Sequence, residues 1–190
     1  AKYLNVNLVL NCLYGQEIKH MIQKLQYKID IEQLQFETKK ILDKYPVNEQ
    51  NQICFQNTKP NLNDVYEGTG DARLPYCPTY NKPEKDFIYF NNEFKDTIFY
   101  SISQRFSGRM RLNVLPNKKC YRMHIDPNLI RYHFAIFTND NCFILYKDKK
   151  HYHIPANGYC YKMDARIDHT ALNAGKENRI HLVISNSLIL

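Results

Sequence analysis

The second half of the chain is a close succession of short segments that alternate between apolar and polar residues. Residues 131–137 show the pattern, with Tyr132, Phe134 and Ile136 at every second position. A period of two residues predicts β-strands, and many short strands separated by turn residues predict a β-sandwich or jelly roll. Strands are predicted at 109–115, 120–126, 131–137, 142–146, 152–154, 159–163 and 179–185.

The first half carries the helical signals. Apolar residues at helical spacing from Ile18 to Leu25 predict a first helix. Asp30 is a suitable N-cap for a second helix, which Pro46 ends. Residues 47–81 are rich in Asn, Pro and Gly and predict loops that form the rim of a site, apart from a short strand at 52–55. Residues 1–13 alternate weakly and predict a strand or a lead-in segment.

Composition restricts the class of protein. Hydrophobic residues make up 44% of the 190 residues and charged residues 24%, as in an ordinary globular protein with a sizeable core. The net charge of +7 is scattered and suits anionic partners, which include nucleic acid, an acidic peptide or a small dianion. No nucleic-acid motif is present, and this argues against nucleic acid.

The cysteines and the apolar runs indicate where the protein resides. The six cysteines are far apart and include no C-x-x-C pair, which argues against a zinc ribbon and predicts free thiols. No run approaches the roughly 20 apolar residues of a membrane span, and no cleavable signal is evident. We therefore expect a soluble, cytoplasmic protein.

His124-Ile125-Asp126 is the motif with the clearest chemical meaning. Two residues that are two apart on a strand point to the same face, so His124 and Asp126 can share a ligand. A second histidine from a later strand, His169, would complete a 2-His-1-carboxylate triad, which binds Fe(II) and leaves positions open for substrate and oxygen. His151-Tyr152-His153 is a rival metal pair, although it lies where we expect a sheet edge.

Arg179 stands ten residues after His169, at the start of the last predicted strand. In a double-stranded barrel this strand can neighbour the metal strands, so that the guanidinium approaches the metal from below. A guanidinium pairs with a carboxylate through two parallel hydrogen bonds. This arrangement suits a dianionic co-substrate such as 2-oxoglutarate, one end of which chelates iron.

Residues 105–185 resemble the Fe(II)- and 2-oxoglutarate-dependent oxygenases, and among them the aspartyl/asparaginyl β-hydroxylase family. The resemblance is carried by the motifs R-L-N-V-L-P at 111–116, H-I-D at 124–126, R-Y-H at 131–133, N-C-F-I at 141–144, I-D-H-T-A-L-N at 167–173 and R-I-H-L-V-I at 179–184. Two positions depart from the family pattern: Asp126 replaces the glycine of the mammalian aspartyl β-hydroxylase, and Asn117 replaces a turn glycine. Asp126 favours the ordinary triad.

The resemblance implies a role for each of these residues. It implies that His124, Asp126 and His169 bind Fe(II), and that Arg179 pairs with the distal carboxylate of 2-oxoglutarate. The other residues with an implied contact to co-substrate are His133, Asn113 and Arg131, and Arg131 could instead face the substrate. The implied reaction is hydroxylation of a C–H bond by O2 while 2-oxoglutarate is decarboxylated to succinate. The substrate would be an Asp, Asn or Pro residue of a peptide, or a free amino acid.

The predicted fold is α+β and mainly β, a double-stranded β-helix of the jelly-roll or cupin-like kind, with N-terminal helices packed on one sheet. We expect a single domain over residues 1–190, in which 1–104 support a β-helix core at 105–190 that carries the metal site. The alternative function is that of a cupin-like module that binds a small ligand or nucleic acid without catalysis. The complete residue set of the triad and Arg179 argues against this alternative.

Overall fold

Two antiparallel sheets face each other in the protein. The structure is a computed structural model that describes residues 21–126 and 130–185. The major sheet has six strands in the order β1-β10-β7-β12-β5-β2, and the minor sheet has four in the order β6-β11-β8-β9. The strands are β1 (Ile22–Lys28), β2 (Gln52–Cys54), β3 (Gln56–Asn57), β4 (Tyr89–Phe90), β5 (Met110–Leu115), β6 (Lys119–Cys120), β7 (Ile130–Phe137), β8 (Cys142–Tyr146), β9 (His151–Tyr152), β10 (Tyr159–Asp164), β11 (His169–Asn173) and β12 (Arg179–Ser185).

The chain passes repeatedly from one sheet to the other. It crosses from the major to the minor sheet between β5 and β6, between β7 and β8, and between β10 and β11. This alternation is the double-stranded β-helix, or jelly roll, and it confirms the predicted fold class. Strands β3 and β4 form a separate two-stranded pair.

Helices cover the outer face of the major sheet. They are α1 (Ile31–Lys44) and α2 (Ile98–Ser103), with short 3-10 turns at Glu84–Asp86 and Asn92–Phe94. The first hydrophobic core joins side chains of both helices, such as Leu34 and Phe99, to alternate residues of the sheet, such as Phe134. Each large apolar side chain buried in this way contributes about 1.5–3 kcal/mol. The helices are short or polar enough that none of those described could cross a membrane.

The predicted second helix is confirmed at its N-terminus. Asp30 lies just before α1, and its carboxylate accepts hydrogen bonds from the backbone N–H groups of Glu32 and Gln33 at 2.9 and 3.1 Å. These bonds satisfy two donors that would otherwise have no partner inside the helix. Tyr45 ends the helix before Pro46, as expected.

The predicted first helix is wrong over its described part. Residues 22–28 form strand β1, which pairs with β10 at one edge of the major sheet, while Ile18 and the alternating segment 1–13 lie outside the described residues. Backbone hydrogen bonds to β10 and the half-burial of Ile22, Leu25 and Tyr27 outweigh the local helical spacing. The other face of the segment remains exposed, which is why its sequence resembles that of a surface helix.

The predicted strand 120–126 is regular only at its start, where β6 ends at Cys120. Cys120 lies opposite Leu172 in β11, and His124 lies opposite His169. Between these two pairs the chain advances four residues from Cys120 to His124 but only three from His169 to Leu172. The extra residue forms a bulge, and regular pairing ends at β6. The bulge changes the direction of the side chains just before the H-x-D motif.

The second hydrophobic core lies between the two sheets. In this core, Leu115 and Ala135 of the major sheet pack in one cluster with Ile144 and Ala171 of the minor sheet. The described cysteines are all free, as predicted. Apolar contacts occupy only part of the space between the sheets, and polar side chains occupy the rest.

Candidate metal and co-substrate site

His124 and His169 lie side by side where the minor sheet begins. Their ring centroids are 4.5 Å apart. The Nδ1 atom of His124 is 2.7 Å from the carbonyl oxygen of Arg122, and that of His169 is 2.8 Å from the carbonyl oxygen of Ile167. Because a carbonyl only accepts, each Nδ1 must carry the proton, which leaves both Nε2 atoms as lone-pair donors. This is the tautomer that a metal-binding histidine uses.

The carboxylate of Asp126 completes a group of three potential metal ligands. Ligand atoms of His124, Asp126 and His169 all lie within 4.8 Å of one another. Among the described residues, this is the one group of three such side chains. Burial opposes the charge on Asp126, but Arg131 outweighs it and the pKa of the carboxyl is lowered. Burial also lowers the pKa of His169, so at neutral pH this uncharged imidazole lies beside the anionic carboxylate of Asp126.

The rival histidine pair lies elsewhere. His151 is exposed on β9, and Phe143 packs against both it and His153, with ring centroids 5.5 and 6.3 Å away. Nδ1 of His153 lies 3.0 Å from the carbonyl oxygen of Cys142. No third ligand side chain joins these two histidines in the described part of the chain.

Arg179 is buried between the sheets without a carboxylate partner in residues 21–126 and 130–185. Its Nη2 donates to Nδ1 of His181 at 2.9 Å. Burial lowers the pKa of Arg179 to about 10 from an ordinary value of 12.5. An arginine in this setting is a ready partner for an anion, because the cost of removing its charge from water has already been incurred in folding.

His133 and His181 lie next to each other on β7 and β12. Their Nδ1 atoms are 3.4 Å apart, and burial lowers the pKa of both rings well below 6.5. In the sheet, His181 lies opposite Asn113 of β5. His133 lies opposite Val183, which follows His181 by two residues on β12 and therefore lies on the same face. The structure therefore brings His133, Asn113 and Arg179 to the same face of the major sheet.

Several buried polar atoms around these residues have no hydrogen-bond partner within the described chain. They are Nε of Arg111, Oδ1 of Asn113, the hydroxyl of Tyr121, Nε2 of His133 and Nε2 of His181. An unpaired buried polar atom costs about 1–3 kcal/mol, and proteins keep few of them. Their concentration beside a buried cation is what a site for a polar anionic ligand requires.

Arg131 occupies a different place from that of the other predicted co-substrate residues. Its Nε and Nη2 donate to Oδ2 of Asp126 at 3.1 and 2.9 Å, and its Nη1 donates to Glu84 at 3.3 Å. The guanidinium is thus bound to the predicted metal carboxylate and to a second, mostly buried acid, Glu84.

The sequence reasoning missed Glu84, Arg111 and His181. Arg111 alternates with Asn113 on β5, and His181 follows Arg179 by two residues, so the period of two could have identified both. Glu84 gives no such signal, since it stands in a charged segment that looks like solvated surface.

Two histidines and a carboxylate lie close together at one end of this jelly roll, and a buried arginine lies between its sheets. The model of the Aspartyl/Asparaginyl beta-hydroxylase family matches residues 93–187, half of the chain. The protein belongs to this family, as the motifs predicted. No curated protein is significantly similar to it in sequence.

Solved structures share the architecture only weakly. A prolyl-4-hydroxylase of Pseudomonas putida aligns with a TM-score of 0.46 and 10% identity over 94% of each chain. The capsular polysaccharide assembling protein CapF of Staphylococcus aureus aligns with a TM-score of 0.35 and 9% identity over 45% of this chain and 26% of its own. CapF with the inhibitor 3-isopropenyl-tropolone gives a TM-score of 0.35 and 9% identity over 43% and 25%. The chain thus spans about a quarter of CapF.

Proposed function

We propose that the protein is a non-haem Fe(II)- and 2-oxoglutarate-dependent dioxygenase. Its substrate would be an Asp, Asn or Pro residue of a peptide, or a free amino acid. The observation that carries the proposal is the convergence of His124, Asp126 and His169, with both histidines held in the metal-binding tautomer. Two imidazoles and one carboxylate are the ligand set of Fe(II) oxygenases, so the residues fit the ion.

The polar face between the sheets supports 2-oxoglutarate as the co-substrate. Arg179 would pair with the distal carboxylate, and His133 and Asn113 would offer their unpaired polar atoms to the rest of the molecule. Arg111 adds a second buried cation without a directly paired acid in the described residues, so a dianion is favoured over a neutral ligand. Burial of Arg179, His133 and Arg111 keeps water from competing for these contacts.

Fe(II), when bound, would allow O2 to hydroxylate a substrate C–H bond while 2-oxoglutarate is converted to succinate and CO2. The chain's own residues would fix the reactants in place. His124 and His169 would hold the ion through Nε2 while their Nδ1–H groups stay on backbone carbonyls. Asp126 would bind with the oxygen that Arg131 leaves free.

Calorimetric titration of 2-oxoglutarate into protein loaded with Mn(II) under anaerobic conditions tests the proposal. We expect binding in the wild type and in Arg166→Met, which removes an exposed arginine paired with Asp164. Binding should be lost in Arg179→Met, and in His169→Ala it should be lost together with the metal. Failure of the wild type to bind 2-oxoglutarate and to form succinate from it in the presence of Fe(II) and O2 would refute the proposal.

A further inference from the structure

The two oxygens of the Asp126 carboxylate have different surroundings. Oδ2 accepts two hydrogen bonds from Arg131, from Nε at 3.1 Å and from Nη2 at 2.9 Å. Among the described residues, Oδ1 accepts no hydrogen bond, and Nη2 of Arg73 lies 3.7 Å from it. The backbone N–H of Asp126 donates to the carbonyl of Ala165 at 2.8 Å. Arg131 thus occupies Oδ2 and leaves Oδ1 without a hydrogen bond from it.

Arg131 is itself held from the other side. It is buried, and its Nη1 donates to Oε1 of Glu84 at 3.3 Å and to the hydroxyl of Ser185. Burial opposes the charge of the guanidinium, but Glu84 and Asp126 outweigh that cost and raise the pKa of Arg131. The guanidinium can therefore leave Asp126 only by giving up two further partners.

Glu84 is fixed by a second arginine. Arg109 donates through Nε to Oε2 of Glu84 at 2.7 Å and through Nη2 to Oε1. The remaining nitrogen of Arg109 binds the carbonyl oxygens of Gly68 and Gly70 at 3.0 and 3.2 Å. Burial opposes ionisation of Glu84, but Arg109 and Arg131 hold its pKa down at about 2, so the carboxylate is charged at neutral pH.

The four groups form an electrically balanced row behind the candidate metal site: Arg109, Glu84, Arg131 and Asp126. Two guanidinium groups alternate with two carboxylates, and all are mostly buried. Glu84 precedes the residues that match the family, which begin at 93. The row therefore joins a segment outside the family match to a predicted metal ligand.

We infer that Glu84 is a positioning residue for the metal centre, which acts through Arg131 to orient the carboxylate of Asp126. The inference rests on the proposed function, because it assigns Asp126 to the metal. Without the charge of Glu84, Asp126 would be the one carboxylate paired with Arg131 among the described residues, and Arg131 would draw that carboxylate towards itself. The row would also gain one positive charge close to a divalent cation. Both effects weaken metal binding.

Cobalt(II) provides a test that does not depend on turnover, because its visible absorption reports the ligands and their geometry. We would measure the Kd of Co(II) and the absorption spectrum at saturation for the wild type, Glu84→Gln and Glu67→Gln. Glu67 is a matched control: it is a buried acid of the same segment that pairs with Thr58 and Lys82 and, among the described residues, has no hydrogen bond or ion pair with either arginine of the row. We expect about 10- to 100-fold weaker binding and an altered spectrum in Glu84→Gln, the usual effect of losing an indirect support of a metal ligand.

The outcomes separate the inference from the proposed function. Glu67→Gln should lower the Tm and keep the wild-type Kd and spectrum. If Glu84→Gln also lowers only the Tm, Glu84 is merely structural and the inference is wrong, while Co(II) binding that is lost in His169→Ala would still support the metal site. If the wild type binds no Co(II), or His169→Ala binds it equally well, the proposed function fails.

Glu84→Asp is a second variant, which tests the inference if Glu84→Gln does not fold. Glu84→Asp keeps the charge that both arginines need, but its carboxylate is one methylene further from them. If Glu84→Gln does not fold, Glu84→Asp should still weaken Co(II) binding several-fold at an unchanged fold. Wild-type affinity in that variant would overturn the inference.

Discussion

Replacing Arg179 with methionine should have opposite effects on protein stability and on ligand binding. Burial holds the pKa of Arg179 at about 10 instead of 12.5, which corresponds to about 3 kcal/mol against the charged form in the folded protein. The unfolded chain binds the proton more tightly, so at pH 7 this charge destabilises the ligand-free protein. Methionine keeps most of the apolar stem and removes the charge. We therefore expect the free energy of unfolding to rise by about 1–3 kcal/mol.

The same change should abolish tight binding of 2-oxoglutarate. Removing one partner of a buried ion pair costs about 3–5 kcal/mol, so the Kd should rise roughly 10²- to 10³-fold or more. Thermal unfolding without ligand gives the first quantity, where each kcal/mol raises the Tm by about 2–4 °C. Calorimetric titration of the metal-loaded protein gives the second. A lower Tm together with an unchanged Kd would show that Arg179 is a structural residue and refute the reasoning.

Three further predictions concern stability. Since burial lowers the pKa of His133 and His181 well below 6.5, they bind protons in the unfolded chain but not in the folded one, and stability should fall as the pH drops from about 6.5 to 5. The free energy of unfolding should change by about 1.4 kcal/mol per pH unit for each histidine. Thermal unfolding measured across this pH range should show this dependence, and His181→Leu should make it shallower. Asp30→Ala removes the N-cap of α1 and should cost about 1 kcal/mol in urea unfolding without changing the 2-oxoglutarate Kd. Gly70→Ala should cost more than about 1 kcal/mol, because Gly70 has φ +87° and an added Cβ would lie 2.6 Å from Sγ of Cys77; an unchanged urea midpoint would contradict this.

Through the row of alternating charges, Glu84 in the first half of the chain connects to Asp126 in the candidate metal site. Gly68 and Gly70 offer their carbonyls to Arg109, and an added Cβ at Gly68 would lie 2.0 Å from Sγ of Cys54. The segment therefore lies tightly against the major sheet. Arg73 extends the same segment to the mouth of the candidate metal site, where it donates to the carbonyl of Ile125 at 3.1 Å. Arg73, which lies outside the regular elements, thus lies next to a predicted ligand.

Local signals in the sequence predicted much of the fold and most of the candidate site. Alternating hydrophobicity predicted the strands that bury one face, such as β5 and β7, because one-sided burial imposes a period of two on the residues themselves. The capping residue Asp30 predicted the start of α1 for an equally local reason. The motif spacing of His124, Asp126 and His169 predicted which side chains meet.

Other features depend on partners that are far away in the sequence. Strand β1 exists because β10 pairs with it, and the bulge before His124 exists because β11 sets the register there. The family resemblance implied that Arg131 contacts co-substrate or substrate, whereas the structure places it between Asp126 and Glu84, 5 and 47 residues away. The sequence shows which side chains are charged, but the packing of the sheets and loops determines which opposite charges lie next to each other. The sequence by itself thus determined the β-helix and indicated the residues of the candidate site, and only the tertiary structure decided which charges pair among them.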